Sequence, residues 1–131
     1  MSLNPMDAYK SYSAAWNEED SDVRKSLLDQ AWVDDGAIFD EETPDGLVGR
    51  KALNEYIAGT HEEMSGLVIT ETSEPQVLGN RLRVSWVARQ GDAEMYTGTD
   101  FVEFADDGRV ASGHDVLRLR AQVSAKVGSR S

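Results

Sequence analysis

The sequence has no cysteine, three prolines and two histidines among its 131 residues. Without cysteine there are no disulfides, no thiolate nucleophile and no zinc site built on thiolates. His61 and His114 are the only nitrogen ligands left, too few for an ordinary zinc site. We therefore expect neither a metal ion nor a cofactor.

Long apolar runs are also missing. No stretch approaches the roughly 20 apolar residues of a membrane span. The first residues, MSLNPMDAYKSY, lack the basic and apolar regions of a secretion signal. These features predict a cytoplasmic protein with no membrane partner.

Basic residues are scarce beside acidic ones, with 13 Lys and Arg against 24 Asp and Glu and a formal net charge of −11. Phosphate groups would be repelled, which argues against nucleic acid and anionic membranes as partners. Between Glu18 and Asp45 the only basic residues are Arg24 and Lys25. Such a run is typical of a solvated surface, and it would also disfavour anionic ligands.

The remaining composition is that of a single globular domain. At 131 residues and 40% hydrophobic, the chain is long enough for one core and too short for a second domain. We expect this domain to span residues 1–121. Residues 122–131 are too polar for a core and are expected to form a flexible tail.

The first half shows helical signals. Asn4 before Pro5 is typical of a helix N-cap followed by the first helical residue. Asp20 or Ser21 can cap a second helix, whose apolar stripe runs to Trp32 and which is expected to end near Asp34. The other predicted elements of this half are a short strand at 37–39, a polar loop at 40–49 and a third helix at about 50–64.

The second half alternates apolar and polar residues, most regularly from Arg81 to Arg89. Turn signals at Gly79–Asn80, Gly91–Asp92 and Asp107–Gly108 separate the extended segments. The four predicted runs are about 67–78, 81–90, 93–105 and 109–120. Helices followed by an antiparallel meander predict an α+β domain in which the helices cover the concave face of a curled sheet.

Asp100 is the first candidate for chemistry. It has the same strand parity as Tyr96, Val102 and Phe104, so it points inward if that face is buried. A buried carboxyl either finds a partner or stays protonated, and a protonated carboxyl can donate a hydrogen bond. The odd-numbered face from Thr97 to Glu103 is an equally plausible buried face, which would leave Asp100 on the surface.

Asp40 and Tyr12 are less distinctive on their own. Asp40 follows the short strand at the start of the Gly- and Pro-containing loop, where a side chain can reach a cavity mouth or simply be exposed. Tyr12 lies beside the apolar face of the first helix, where packing is the usual role. His114 would be a general base only if it reached the same cavity as Asp40. The pocket-lining candidates are Trp16, Trp32, Phe39, Tyr56, Trp86, Val102 and His114.

Other enzyme classes find no support. The sequence contains no glycine-rich phosphate loop, no G-x-S-x-G and no H-x-x-x-H. Nucleotide-binding, serine-hydrolase and metalloprotease functions are therefore not expected.

Three segments resemble the NTF2-like superfamily, in particular its SnoaL-like and ketosteroid-isomerase-like members. The first is Y-S-A-A-W-N at 12–17, followed by Asp20. The second is D-D-G-A-I-F-D at 34–40, with G-R-K-A-L-N-E-Y-I at 49–57 after a loop. The third is D-F-V-E-F-A-D-D-G-R-V at 100–110. Together they cover nearly the whole predicted domain, in the order of its elements.

The resemblance implies a cone in which three helices pack on a strongly curved, mostly antiparallel sheet around a pocket. It also implies a homodimer formed through the sheet. By residue correspondence, Tyr12 and Asp100 match two donors to a developing oxyanion, and Asp40 matches a carboxylate base, as in ketosteroid isomerase.

Three functions follow as hypotheses. The first is cofactor-independent acid–base catalysis on a small hydrophobic carbonyl compound, of the isomerase, cyclase or dehydratase type. The second is a binding module in which Tyr12 and Asp100 only hydrogen-bond a ligand. The third is a dimeric interaction domain whose pocket is filled by tryptophans.

Overall fold

The computed structural model describes residues 4–119, which form three helices and seven strands. The helices are α1 (Pro5–Asn17), α2 (Ser21–Ala31) and α3 (Arg50–Glu63). The strands are β1 (Trp32–Phe39), β2 (Leu47–Val48), β3 (Leu67–Glu71), β4 (Gln76–Leu78), β5 (Arg81–Gln90), β6 (Ala93–Phe104) and β7 (Val110–Leu119). The tail predicted at 122–131 lies outside the described residues.

The strands form one curved, unclosed sheet in the order β2-β1-β7-β6-β5-β3, with β4 also paired to β5. All pairings are antiparallel except that of β1 with β7. The helices lie on its inner face. The predicted α+β architecture, three helices on a mostly antiparallel curved sheet, is confirmed.

The first two helices begin where the sequence predicts. The side chain of Asn4 accepts a hydrogen bond from the backbone N–H of Met6 at 2.8 Å, and Pro5 occupies the first helical position. Asp20 caps α2 by accepting from the N–H groups of Asp22 and Val23. Both caps satisfy donors that the first helical turn leaves free.

The predicted end of α2 near Asp34 is wrong. The helix ends at Ala31, and Trp32 has extended dihedrals (φ −118°, ψ 144°) and pairs with Val110 as the start of β1. The Trp32 side chain is fully buried beneath the ring of Tyr12, at 5.6 Å between ring centroids. An apolar residue at this position fits the helical stripe and the inner face of a strand equally well, so periodicity alone does not locate the boundary.

The predicted run at 67–78 is two strands, β3 and β4, which both pair with β5. Pro75 lies between them and has no N–H to donate to a ladder. The break between β3 and β4 is therefore explained by a proline that is visible in the sequence.

A bulge lies at Ala111 in β7. Ser112 pairs with Glu103 and Val110 pairs with Phe104, which leaves Ala111 without an opposite residue. One extra residue reverses the alternation of the strand beyond it. As a result, Val110 and Gly113 both face the core, whereas regular alternation would place residues three positions apart on opposite faces.

Candidate functional site

A cavity lies between α1 and the inner face of the sheet. Its volume is about 70 Å³, enough for several water molecules. Its polar lining is acidic and its apolar lining is largely aromatic. The acids are Asp40, Glu71, Asp100 and Asp115, and the aromatic residues are Tyr9, Tyr12, Trp16 and Trp86.

The strand register determines which side chains lie next to each other on the cavity wall. Asp100 in β6 lies opposite Val84 in β5 and Asp115 in β7. One row further, Gly98 lies opposite Trp86 and Leu117. A Cβ on Gly98 would come within 2.4 Å of the Trp86 indole, so a glycine is needed for the indole to lie against the sheet.

Asp100 is held in the cavity wall with 8% of its surface exposed. Its Oδ1 has no hydrogen-bond partner among the described residues. Burial raises the pKa of Asp100 from its ordinary value to about 7, because the charged form loses its hydration. At neutral pH much of this carboxyl therefore carries a proton that it can donate.

Tyr12 projects from α1 towards the same wall and is 1% exposed. Its hydroxyl oxygen also has no partner among the described residues. Burial, and then the charge of Asp100, raise the pKa of Tyr12 well above its usual range. The phenol stays protonated and, like protonated Asp100, offers a hydrogen bond to a ligand in the cavity.

Asp40 follows the last residue of β1 and is oriented by the loop after it. Its Oδ1 accepts hydrogen bonds from the N–H groups of Glu42 and Thr43 and from the Thr43 hydroxyl, at 2.8–2.9 Å. Among residues 4–119, its Oδ2 accepts one hydrogen bond, from the Tyr56 hydroxyl at 3.1 Å. Oδ2 is therefore the oxygen with acceptor capacity to spare.

Acidic side chains continue beyond the cavity lining. The Tyr56 hydroxyl lies 3.1 Å from an oxygen of Glu42 as well as from Asp40. Burial, followed by the charges of Glu42 and Glu63, raises the pKa of Tyr96. Acidic side chains outside the cavity lining therefore also act on groups around the site.

Asp115 is the cavity residue that sequence reasoning missed. It faces Asp100 across the strand pair, a position in which Cβ atoms lie about 5 Å apart. Its Oδ1 is buried without a partner among the described residues. Because of the bulge at Ala111, Asp115 faces inward. Regular alternation from Val110 would have predicted the outer face for it.

The structure brings Tyr12, Asp40 and Asp100 to one cavity, together with Trp16 and Trp86. The other predicted lining residues lie elsewhere: Trp32, Phe39, Tyr56, Val102 and His114. Phe39 and His114 are stacked on each other, 4.7 Å between ring centroids, on the outer face of the sheet, because their inner-facing neighbours are Ile38 and Gly113. Trp32 and Val102 are buried core residues, and Tyr56 acts through its hydrogen bond to Asp40.

Within residues 4–119, no group of three or more ligating side chains is arranged to hold a metal ion. Over the same range, no Lys, Arg or His lines the cavity. None of the helices in this part of the chain is long and apolar enough to cross a membrane.

Solved structures share this fold. A candidate isomerase of the SnoaL-like family from Agrobacterium tumefaciens is 27% identical, with a TM-score of 0.79 over 86% of this chain and 96% of that one. A candidate polyketide cyclase from Sinorhizobium meliloti is 20% identical, with a TM-score of 0.65 over 86% and 99%. A protein of ketosteroid-isomerase-like fold from Catenulispora acidiphila, in complex with trimethylamine, is 16% identical, with a TM-score of 0.72 over 96% and 95%.

The search of curated proteins found no match. The sequence model of the SnoaL-like domain, in contrast, matches residues 9–113. That range contains all three helices except the start of α1, and the strands up to the bulge in β7. The chain therefore belongs to the SnoaL-like domain family.

Proposed function

We propose that the cavity binds a small hydrophobic carbonyl compound and that the protein transfers a proton next to the carbonyl group, as an isomerase, cyclase or dehydratase. The observation that carries this proposal is the pair of buried, unpartnered donors, Tyr12 Oη and Asp100 Oδ1, in the same cavity as Asp40. Unpartnered buried polar groups are costly, and a ligand oxygen would satisfy both.

The proposed step begins with Asp40 Oδ2 taking a proton from the carbon next to the carbonyl. The C–H electrons form a C=C bond and the carbonyl oxygen becomes an enolate oxygen. Tyr12 and protonated Asp100 donate hydrogen bonds to that oxygen as its charge develops. Protonated Asp40 then returns the proton to a carbon of the enolate, at a different position in an isomerisation.

The comparisons support this proposal at the level of the family. The Agrobacterium and Sinorhizobium proteins are described as a candidate isomerase and a candidate polyketide cyclase. Enolate chemistry is common to both reaction types. The residue correspondence with ketosteroid isomerase supplies the same three roles.

Binding of an enolate mimic tests the donor pair. We expect 2-naphthol, a fused-ring phenol, to quench the tryptophan fluorescence of the wild type. Tyr12→Phe and Asp100→Asn should each weaken its binding about tenfold, the effect of a hydrogen bond worth about 1.4 kcal/mol. Tyr9→Phe removes the other phenol that lines the cavity and is the matched control, with affinity unchanged within about twofold. Binding that is indifferent to Tyr12→Phe and Asp100→Asn would contradict the donor pair.

Exchange of carbon-bound hydrogen tests the base without knowledge of the natural substrate. In D₂O the wild type should accelerate deuterium incorporation next to the carbonyl of 2-tetralone, followed by mass spectrometry. Asp40→Asn should abolish this acceleration and leave 2-naphthol binding intact. Acceleration that survives Asp40→Asn would remove Asp40 from the mechanism.

A ligand-binding module without catalysis is the second candidate, and one observation favours it. Both oxygens of Asp40 already accept hydrogen bonds from the loop and from Tyr56. A carboxylate satisfied in this way serves equally well to hold the loop at the cavity mouth. This function predicts 2-naphthol binding that depends on Tyr12, with no acceleration of 2-tetralone exchange by the wild type.

We also propose a homodimer formed through the outer face of the sheet. Exposed apolar residues on that side include Leu78, Phe101 and Val116. Exposed apolar side chains grouped on one face favour a protein interface. The cytoplasmic location expected from the sequence stays a prediction, which cell fractionation would test.

A further inference from the structure

We propose that the cavity selects a ligand with a positively charged organic ammonium group, seated against the carboxyls of Asp100 and Asp115 and flanked by the indoles of Trp16 and Trp86. This inference rests on the proposed function only in taking the same cavity as the ligand site. It adds the charge of the ligand, which neither the family nor the proposed reaction specifies.

The charge of the lining is the first observation. Four carboxyl groups line the cavity, and no Lys, Arg or His side chain of residues 4–119 does. Charges near the buried Asp100 interact more strongly than in bulk water, because the local dielectric constant is lower. An anionic ligand would be repelled by the ionised carboxylates, and a neutral ligand would gain no charge–charge attraction from them. A cation is the ligand that such a lining stabilises.

The missing partners are the second observation. Asp100 and Asp115 lie directly opposite each other on neighbouring strands, and one oxygen of each is buried without a hydrogen bond among the described residues. Two adjacent carboxylates repel each other unless a proton or another cation lies between them. An ammonium group supplies the positive charge that stabilises both carboxylates, and one that keeps an N–H group also supplies the donors that these two oxygens lack.

The aromatic walls indicate which kind of cation fits. Trp16 and Trp86 line the cavity, and the indole of Trp86 is held against the sheet at Gly98. Aromatic faces attract ammonium groups, and cages of aromatic and acidic residues are a general solution for alkylated ammonium ligands. A metal ion would instead require several oxygens arranged around one point, which the described residues do not provide.

The same cation would assist the proposed reaction. An enolate that forms in the cavity develops its negative charge near the carboxyl groups of Glu71 and Asp115, while Asp40 carries the proton that it has taken. A positive group on the substrate, close to Asp115, would offset that repulsion. The substrate class that fits the whole cavity is therefore a small carbonyl compound whose amino or alkylammonium group lies against Asp115, while its carbonyl oxygen accepts the hydrogen bond of protonated Asp100. A cation that lacks a carbonyl oxygen leaves that proton without an acceptor and favours the ionised form of Asp100.

Three probes of similar size and different charge test the selectivity. They are benzyltrimethylammonium, benzyl alcohol and benzoate, each titrated at constant ionic strength with tryptophan fluorescence and calorimetry as readouts. We expect benzyltrimethylammonium to bind the wild type at least tenfold more tightly than benzyl alcohol, and benzoate to bind most weakly. Equal affinities, or tighter binding of benzoate, would overturn the proposal.

A pair of variants separates the local site from the net charge of the protein. Asp115→Asn should lower the affinity for benzyltrimethylammonium about tenfold and leave that for benzyl alcohol unchanged. Asp106→Asn removes the same charge from an exposed turn between β6 and β7 and is the matched control, with no more than a twofold effect. Equal losses in both variants would mean that the cation is attracted only by the overall charge, which contradicts the proposal.

A measurement on the wild type alone covers the case in which Asp115→Asn does not fold. The pKa of Asp100 is raised by burial, and a bound cation would favour its ionised form. Binding of benzyltrimethylammonium, whose charge does not titrate, should therefore release protons and become tighter as the pH rises through about 7. The other titratable side chains that line the cavity are Tyr9 and Tyr12 on α1, Asp40 after β1, Glu71 on β3 and Asp115 on β7.

Calorimetry in two buffers of different ionisation enthalpy measures this proton release. No released protons together with a pH-independent affinity would contradict the seating of the cation against Asp100. Failure of this proposal is distinguishable from failure of the proposed function. Cation selectivity without exchange of 2-tetralone would leave a cation-binding module, and exchange without cation selectivity would leave the enzyme and overturn the present inference.

Discussion

Asp100 couples the stability of the protein to pH in an unusual direction for a carboxylic acid. Its pKa is about 7 in the folded chain, because burial disfavours the charged form, and near 3.8 without burial. The folded state therefore holds this proton more tightly than the unfolded state. The stability that this group contributes is complete below about pH 4 and is lost as the pH rises through about 7.

Asp100→Asn removes this titration and should change the pH dependence of unfolding. The difference in free energy of unfolding, variant minus wild type, should grow in favour of Asn between pH 4.5 and 8, by about 3 kcal/mol. Urea unfolding followed by tryptophan fluorescence measures the difference at each pH. Asp106→Asn controls for the loss of one exposed charge. A difference for Asp100→Asn that stays constant over this range would show that burial does not shift the carboxyl.

Residue-level prediction works for the cavity to the extent that strand alternation is regular. In β6 the face of Asp100, Val102 and Phe104 is the buried one, a choice that the sequence leaves open against the odd-numbered face. In β7 the bulge at Ala111 reverses the parity, so His114 faces outward and Asp115 inward. Neither face of residues 109–120 alternates cleanly, which indicates a bulge in this strand, but its position at Ala111 depends on pairing with β1 and β6.

One buried arginine side chain connects the helices. Arg24 in α2 is 1% exposed and makes no ion pair among the described residues. Its guanidinium donates to the carbonyls of Glu18 and Glu19 at the end of α1 and to the Asn54 side chain in α3, the last at 2.7 Å. These hydrogen bonds join α2 and α3 to the segment that follows α1, and they satisfy the carbonyls of the two residues directly after that helix.

Arg24→Met should destabilise the protein by about 3 kcal/mol, because several carbonyl oxygens would lose a charged donor while an apolar side chain of similar length fills the space. Lys25→Met is the control, since the neighbouring ion pair of Lys25 with Asp29 is exposed and contributes less than about 1 kcal/mol. Urea unfolding of the two variants measures both effects. Equal stabilities would show that Arg24 only fills space.

The elements themselves are predicted with errors that have local causes. Helix starts are correct because the caps Asn4 and Asp20 act within three residues of the chain. The α2–β1 boundary is not, because Trp32 is buried by a tertiary contact with Tyr12 that lies 20 positions earlier in the sequence. Local signals such as helix caps can be recognised in a sequence, whereas a boundary that depends on a contact between distant residues cannot.

At the scale of the whole molecule, the two faces of the sheet differ in chemistry. The inner face holds the acidic cavity beneath α1, and the outer face exposes apolar side chains on β4, β6 and β7. The fold follows from the order of elements and the three family segments, which span most of the chain. The ligand does not follow from them, because a single fold serves many functions and the acids that line the cavity include Asp115, outside those segments.

The outer face makes the proposed dimer testable with one matched pair of substitutions. Val116 is 60% exposed on β7, and Val23 is 46% exposed on α2 at the opposite side of the molecule. If copies associate through the outer face, Val116→Arg places a charge within an apolar interface and should convert the dimer to a monomer, whereas Val23→Arg should leave it intact. Sedimentation velocity over a series of concentrations measures the mass. A wild type that sediments as a monomer throughout would refute the dimer, and dissociation by Val23→Arg alone would move the interface to the helices. Dissociation by Val116→Arg alone would leave the cavity face free for its ligand in both copies.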